Sequence, residues 1–225
     1  MDPSVADVPG IRGTQLTAEI IQRLPASAPA APWPLHASAM VWVAPAPSAA
    51  AAALQRGIAG RPLAIGGMFV SYQDTPVGPY DEIIGFVALR RGWTVVANIP
   101  FIAVDSLASV VGGRANWGLP KTLASFAGDP LRDRAMRAHH ADWEVTAQAR
   151  RVGPAVSARS RLTLVQAGVE GREARIKGRA RVRVRPALMQ VRTSGVSELT
   201  DWLRSGRYPG LIIERCDGEL GSRSG

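Results

Sequence analysis

Only two of the 27 basic residues in this chain are lysines, Lys121 and Lys177. Arginine stays protonated under physiological conditions, whereas burial can lower a lysine's pKa enough to release a nucleophilic amine. Lys121 lies in Gly112-Gly113-Arg114-Ala115-Asn116-Trp117-Gly118-Leu119-Pro120-Lys121-Thr122-Leu123-Ala124-Ser125-Phe126, where Arg114 is the only other charged residue and Trp117, Leu119, Leu123 and Phe126 are apolar neighbours. Such surroundings desolvate an ammonium and pull its pKa below about 10.4. At the ordinary value about 0.04% of the amine is neutral at pH 7, so a drop of three units raises the reactive fraction close to a thousandfold. A neutral lysine attacks a ketone and forms a Schiff base. Spacing alone leaves a second reading open, a lysine whose stem lies along apolar surface while its head reaches water.

Other polar candidates carry less. Glu82 reads alone as a charge near a strand start, and Tyr72, Tyr80 and Asn116 as pocket residues or as hydrogen-bonded structural ones. His139-His140 beside Asp142 suggests a metal or acid–base site, but adjacent strand residues point to opposite faces, which favours a surface turn. The single cysteine, Cys216, forms no internal disulfide, and the three histidines are not grouped with it as zinc ligands. No metal or cofactor is expected.

Elements to position Lys121 follow from periodicity and turn residues. A proline- and alanine-rich arm over 1–35 holds a short helix around Thr17 to Arg23, and a second short helix is predicted from Ser48 to Arg56. Leu63 to Tyr72, Ile83 to Leu89 and Trp93 to Ile99 read as strands. Asp105 is placed to cap a two-turn helix carrying Leu107, Val110 and Val111, which Gly112-Gly113 would end. Alternation marks strands from Trp143 and over 172–185, where Arg175, Lys177, Arg179, Arg181, Arg183 and Arg185 share one face. A helix near Ser197 to Leu203 and a strand Leu211 to Arg215 follow, with 217–225 frayed. The domain proper is expected over 36–216.

Gly113-Arg114, then Trp117-Gly118-Leu119-Pro120-Lys121 and Leu123-Ala124, resembles the acetoacetate decarboxylase family, in which a glycine-arginine pair precedes the segment bearing a Schiff-base lysine. Ser71-Tyr72 to Thr75-Pro76-Val77-Gly78-Pro79-Tyr80-Asp81-Glu82 is similar to the family's upstream turn, which ends in tyrosine, one variable residue and the active-site glutamate. The resemblance spans about 37–215, with motif identity confined to 65–126. It implies one β-rich α+β domain of antiparallel strands curled into a barrel or cone with a few short peripheral helices, and a homo-oligomer. Lys121 would be the imine-forming nucleophile and Glu82 the carboxylate that orients substrate or handles protons. Arg114, Tyr80, Trp117 and Tyr72 would bind a small oxo acid.

The implied activity is cofactor-free decarboxylation of a β-keto acid. The alternatives are a Schiff-base aldolase or dehydratase acting on pyruvate-like acids, and a non-catalytic small-molecule binder. Two departures stand out. The decarboxylases carry a second lysine where this chain has Thr122, and the stretch Ala39 to Val43 offers no match for their early-strand arginine. Without a neighbouring ammonium, Lys121 should keep a higher pKa than in a two-lysine relative, and activity should peak at more alkaline pH.

Composition narrows the remaining classes. With 46% apolar and 20% charged residues over 225, the chain can bury a core and lacks the charge-rich signature of disorder. The net charge of +9 raises nucleic acid as a partner. The arginine stripe lacks interleaved aromatic platforms, and no helix-turn-helix, zinc finger or RNP pattern occurs, so the stripe reads as a solvated sheet face. Two acids near the N-terminus, the lone cysteine and the lack of any eighteen-residue apolar run lead to the expectation of a cytoplasmic protein with no membrane partner.

Overall fold

The structure is a computed structural model and describes residues 7–167 and 172–224. In chain order its elements are a 3-10 turn (Arg12–Thr14), α1 (Ala18–Arg23), β1 (Trp33–Pro45), a 3-10 turn (Ser48–Ala51), β2 (Arg61–Asp74), β3 (Tyr80–Arg91), β4 (Thr94–Val104), α2 (Leu107–Trp117), β5 (Lys121–Leu123), β6 (Ser125–Asp129), β7 (Ala135–His140), β8 (Trp143–Arg151), β9 (Val156–Ala167), β10 (Glu173–Gly195), α3 (Ser197–Thr200) and β11 (Gly206–Ser224). They form one α+β domain dominated by antiparallel strands, with the short helices at its periphery.

Strand order is β11-β1-β2-β3-β4-β9-β10-β8-β7-β6, with β5 beside β4 and a further pairing between β11 and β10. The 23-residue β10 pairs with β9 through its first half and with β8 through its second, while β11 lines its other edge. Strands β1 to β4 are buried on both faces. Met40, Trp42, Phe69, Ile83 and Phe101 pack into a core that includes Trp143 and Trp202. Their neighbours of opposite parity, among them Ala39, Val70, Ile84 and Ile102, form a second core. Burial on both sides explains why these strands read in sequence as apolar runs rather than as alternation.

Several expected boundaries are corrected. Ser106 caps α2, its hydroxyl accepting from the Ser109 N–H at 3.2 Å, while the Asp105 carboxylate accepts instead from Asp81 N–H at 2.9 Å. Gly112 and Gly113 lie inside α2 rather than ending it. A Cβ on Gly112 would come within 2.4 Å of the Trp33 ring, so that glycine serves close packing. The helix ends at Gly118, which adopts the left-handed conformation (φ 64°). The predicted Ser48 helix is a single 3-10 turn followed by turns. The end expected to fray is paired: β11 runs beside β10 as far as Ser224 and beside β1 as far as Leu220.

The arm is docked over its described part, residues 7–35. Thr17 caps α1, and Ile11 N–H donates to Pro100 C=O. Ala31 N–H donates to the Asn116 side chain, which in turn donates to Pro29 C=O. The first six residues lie outside the described part of the chain.

The face of β10 carrying the arginine stripe is exposed and laced with carboxylates. Arg175 pairs with Glu173, Arg179 with Glu219, and Arg183 and Arg185 both with Glu214.

Candidate active site

Three elements bring Lys121 to its position. Pro120 and the left-handed Gly118 turn the chain out of α2 into β5, which pairs in parallel with β4 at Ile102↔Lys121. The carbonyl of Lys121 accepts from Arg114 Nε at 2.7 Å, and Arg114 Nη2 donates to Thr14 C=O at 2.9 Å. Gly113 makes room for the lysine stem. A Cβ there would lie 2.5 Å from Lys121 Cδ and 2.7 Å from Cε, far inside contact distance. The glycine-arginine pair thus has a local physical meaning: the glycine admits the stem of Lys121 and the arginine fixes its backbone.

The Lys121 side chain is 3% exposed, and among the described residues three groups hold its amine. Nζ stands 2.6 Å from Glu82 Oε2, 2.9 Å from Ser109 Oγ and 3.4 Å from Tyr80 Oη. The other Glu82 oxygen accepts from Tyr72 Oη at 3.1 Å, and the Tyr72 and Tyr80 rings lie 4.5 Å apart. Glu82 and Tyr80 come from β3, Tyr72 from β2 and Ser109 from α2. Ser109 escaped the sequence reading. Its signal was the spacing of four from Gly113, which puts both on the helix face that carries the lysine.

Electrostatics correct the expectation of a lysine made neutral by apolar walls alone. Burial does pull the Lys121 pKa down, but Glu82 and Tyr80 outweigh it, and the net shift is upward from the ordinary 10.5. The resting amine is therefore an ammonium in a buried ion pair. Burial, reinforced by the Glu82 charge, raises Tyr72 well above its ordinary value. Burial also raises Tyr80, although Lys121 opposes that shift. Both phenols are neutral at physiological pH; Tyr72 donates to Glu82, and Tyr80 accepts from Lys121.

Lys121, Glu82, Tyr72, Tyr80 and Trp117 all line one cavity of about 400 Å³, whose remaining wall is mostly aliphatic and aromatic. Arg114 does not line it. Its guanidinium is buried against main-chain carbonyls, and burial lowers its pKa to about 10, so this geometry makes it a positioning residue rather than a substrate ligand. Trp117 meets Trp33 edge to face at 5.0 Å and donates from Nε1 to Gly221 C=O. A second, shallower depression shares Leu35, Ser160, Arg179, Ala180, Gly218 and Glu219 with the cavity and adds Arg159, Arg161, Arg181 and Asp217.

Thr122 is fully buried, lies outside the cavity wall, and has a hydroxyl with no hydrogen-bond partner among the described residues. His139 and His140 sit at the β7–β8 turn, with no metal-binding cluster among the described residues. No described helix is long and apolar enough to cross a membrane.

The site is thus a buried lysine–carboxylate pair lining an apolar cavity of a mainly antiparallel α+β domain. The family model for acetoacetate decarboxylase matches residues 29–220, and the chain belongs to that family. No curated protein matches the sequence. Among solved structures, the chain is similar to the enduracididine biosynthesis enzyme MppR complexed with pyruvate, at 12% identity and TM-score 0.64, covering 89% of this chain and 92% of that one. An acetoacetate decarboxylase matches at 12% identity and TM-score 0.61, covering 93% and 97%. The acetoacetate decarboxylase of Legionella pneumophila matches at 13% and 0.55, covering 89% and 90%. At these identities the likeness shows the shared fold.

Proposed function

We propose that the protein is a cofactor-free lyase that decarboxylates a β-keto acid through an imine on Lys121. The observation that carries this reading is the 2.6 Å contact between Lys121 Nζ and Glu82 Oε2 inside an apolar cavity. Because the resting amine is protonated, the first step is transfer of that proton to Glu82. The neutral amine then adds to the ketone carbon, and the protonated Glu82 returns the proton to the departing oxygen, so that water leaves and an iminium forms. The iminium accepts the electron pair freed when the carbon–carbon bond to carbon dioxide breaks. The resulting enamine takes a proton at carbon, and water restores ketone and lysine. The hydroxyls of Tyr80 and Ser109 hold the nitrogen in place throughout, and Tyr72 orients Glu82.

The ring of pairings β1-β2-β3-β4-β9-β10-β11, with β11 returning to β1, supports reading the cavity as the interior of a barrel or cone. Carbon dioxide release tests the function. Wild-type protein is expected to release it from β-keto acids, and Lys121→Gln to release none above the uncatalysed rate. A second reading is a pyruvate aldolase or dehydratase. Its support is that the MppR structure similar to this one is complexed with pyruvate. Condensation of pyruvate with an aldehyde, without carbon dioxide release from any β-keto acid, would select it.

A further inference from the structure

The cavity is too large for a short oxo acid. A four-carbon β-keto acid has seven heavy atoms, and even at the ~30 Å³ that a water molecule takes up in the liquid these fill about 210 Å³. That leaves nearly half of the roughly 400 Å³. The remainder is apolar. Away from Lys121 the wall is built by Val41, Met68, Phe86, Leu162, Val182 and Ile213, and among the described residues charged side chains return only with Arg179 and Glu219, both partly or largely exposed. Water in that half would find few hydrogen-bond partners, whereas hydrocarbon would bury surface against the apolar walls.

We infer that the substrate is an oxo acid whose ketone bears an extended apolar substituent, an alkyl chain or aryl ring of about six further heavy atoms by the same volume allowance. The reacting end sits at Lys121 and Glu82, and the apolar body lies toward β9, β10 and β11. This substrate class rests on the reading of Lys121 as the imine-forming residue, so the test separates the two.

Binding of a series of 2-alkanones, from acetone upward, is measured by calorimetry. Affinity is expected to rise about fourfold for each methylene buried and to level off near a dozen heavy atoms, the number that ~30 Å³ each allows. Val182→Phe fills the cavity from β10, a strand that pairs with none of those bearing Lys121, Glu82 or Tyr80. It should move the plateau to shorter chains, and Val182→Leu should do so by less. Affinity that is flat with chain length, or a plateau that neither variant moves, overturns the inference. Borohydride trapping with acetone runs alongside. Trapping at Lys121 without a chain-length trend would leave the imine chemistry standing and remove the apolar substrate. A trend and movable plateau without trapping by any ketone would keep the apolar ligand class and remove the imine.

Discussion

Replacing Glu82 by glutamine takes a carboxylate away from an ammonium that stays buried. At 2.6 Å and an effective dielectric of about 20, the gross attraction lost is roughly 6 kcal/mol. Ser109 and Tyr80 remain as partners, but burial, which pulls the Lys121 pKa down, is no longer outweighed. Rather than stay charged, the variant lysine sheds its proton on folding. From an ordinary pKa of about 10.4, that costs about 5 kcal/mol at pH 7, in line with the ~3–5 kcal/mol typical of breaking a buried pair.

Between pH 7 and 10 this group should then leave wild-type stability flat while the variant gains stability as pH rises. In the wild type the folded pKa is raised, so its stabilisation is complete below about 10.4 and is lost as pH climbs through the folded value. In the variant the folded pKa is depressed, so the penalty shrinks by about 1.4 kcal/mol per pH unit between that folded value and about 10.4. Urea unfolding at pH 7, 8, 9 and 10 should show the stability gap narrowing. Parallel stability curves for the two proteins would refute the assignment of an ammonium–carboxylate pair.

Three further outcomes follow from the same geometry. Gly113→Ala should lower stability by no more than about 1–3 kcal/mol, the overpacking cost against the buried Lys121 stem being offset in part by alanine's helix preference of about 0.8–1 kcal/mol. It should nonetheless slow imine formation on the order of a hundredfold by displacing the Lys121 stem; thermal melts check the first half and single-turnover trapping rates the second. Thr122→Lys should not restore a decarboxylase-like lysine pair. Its side chain enters a fully buried site outside the cavity, so a loss of about 3–5 kcal/mol in chemical denaturation is expected, with no move of the pH optimum toward neutrality. Cys216 lines the cavity, and burial, with help from Asp217, raises its thiol to about 11. Alkylation by iodoacetamide should therefore be slow at pH 8, accelerate about tenfold per pH unit, and slow again when a 2-alkanone is bound.

What the sequence made legible was the chemistry carried by short motifs. The Tyr-Asp-Glu turn and the Gly-Leu-Pro-Lys stretch are separated by about forty residues, yet β3, β4 and β5 are neighbours, so both motifs meet at one cavity. The arginine stripe was readable because only one face of β10 is solvated. Less legible was whatever depended on contacts distant in sequence. Nothing local tells that Gly112 and Gly113 face Trp33 and Lys121 rather than ending a helix, or that Arg114 spends its guanidinium on the carbonyls of Thr14 and Lys121. The charge state of Lys121 failed for the same reason. The stretch around it is apolar, and the carboxylate that holds its proton comes from another strand. The pairing of 217–224 was hidden because those polar residues gain their order from β1 and β10.

The imine itself is the most direct test. Wild-type protein is incubated with a β-keto acid, reduced with borohydride, digested with trypsin and analysed by mass spectrometry. The expected product is a modified peptide spanning residues 115–132, in which cleavage after Lys121 is blocked and the added group is the reduced ketone without its carboxylate. An unmodified Lys121 with every oxo acid tried, under conditions where the ligand demonstrably occupies the cavity, would contradict it.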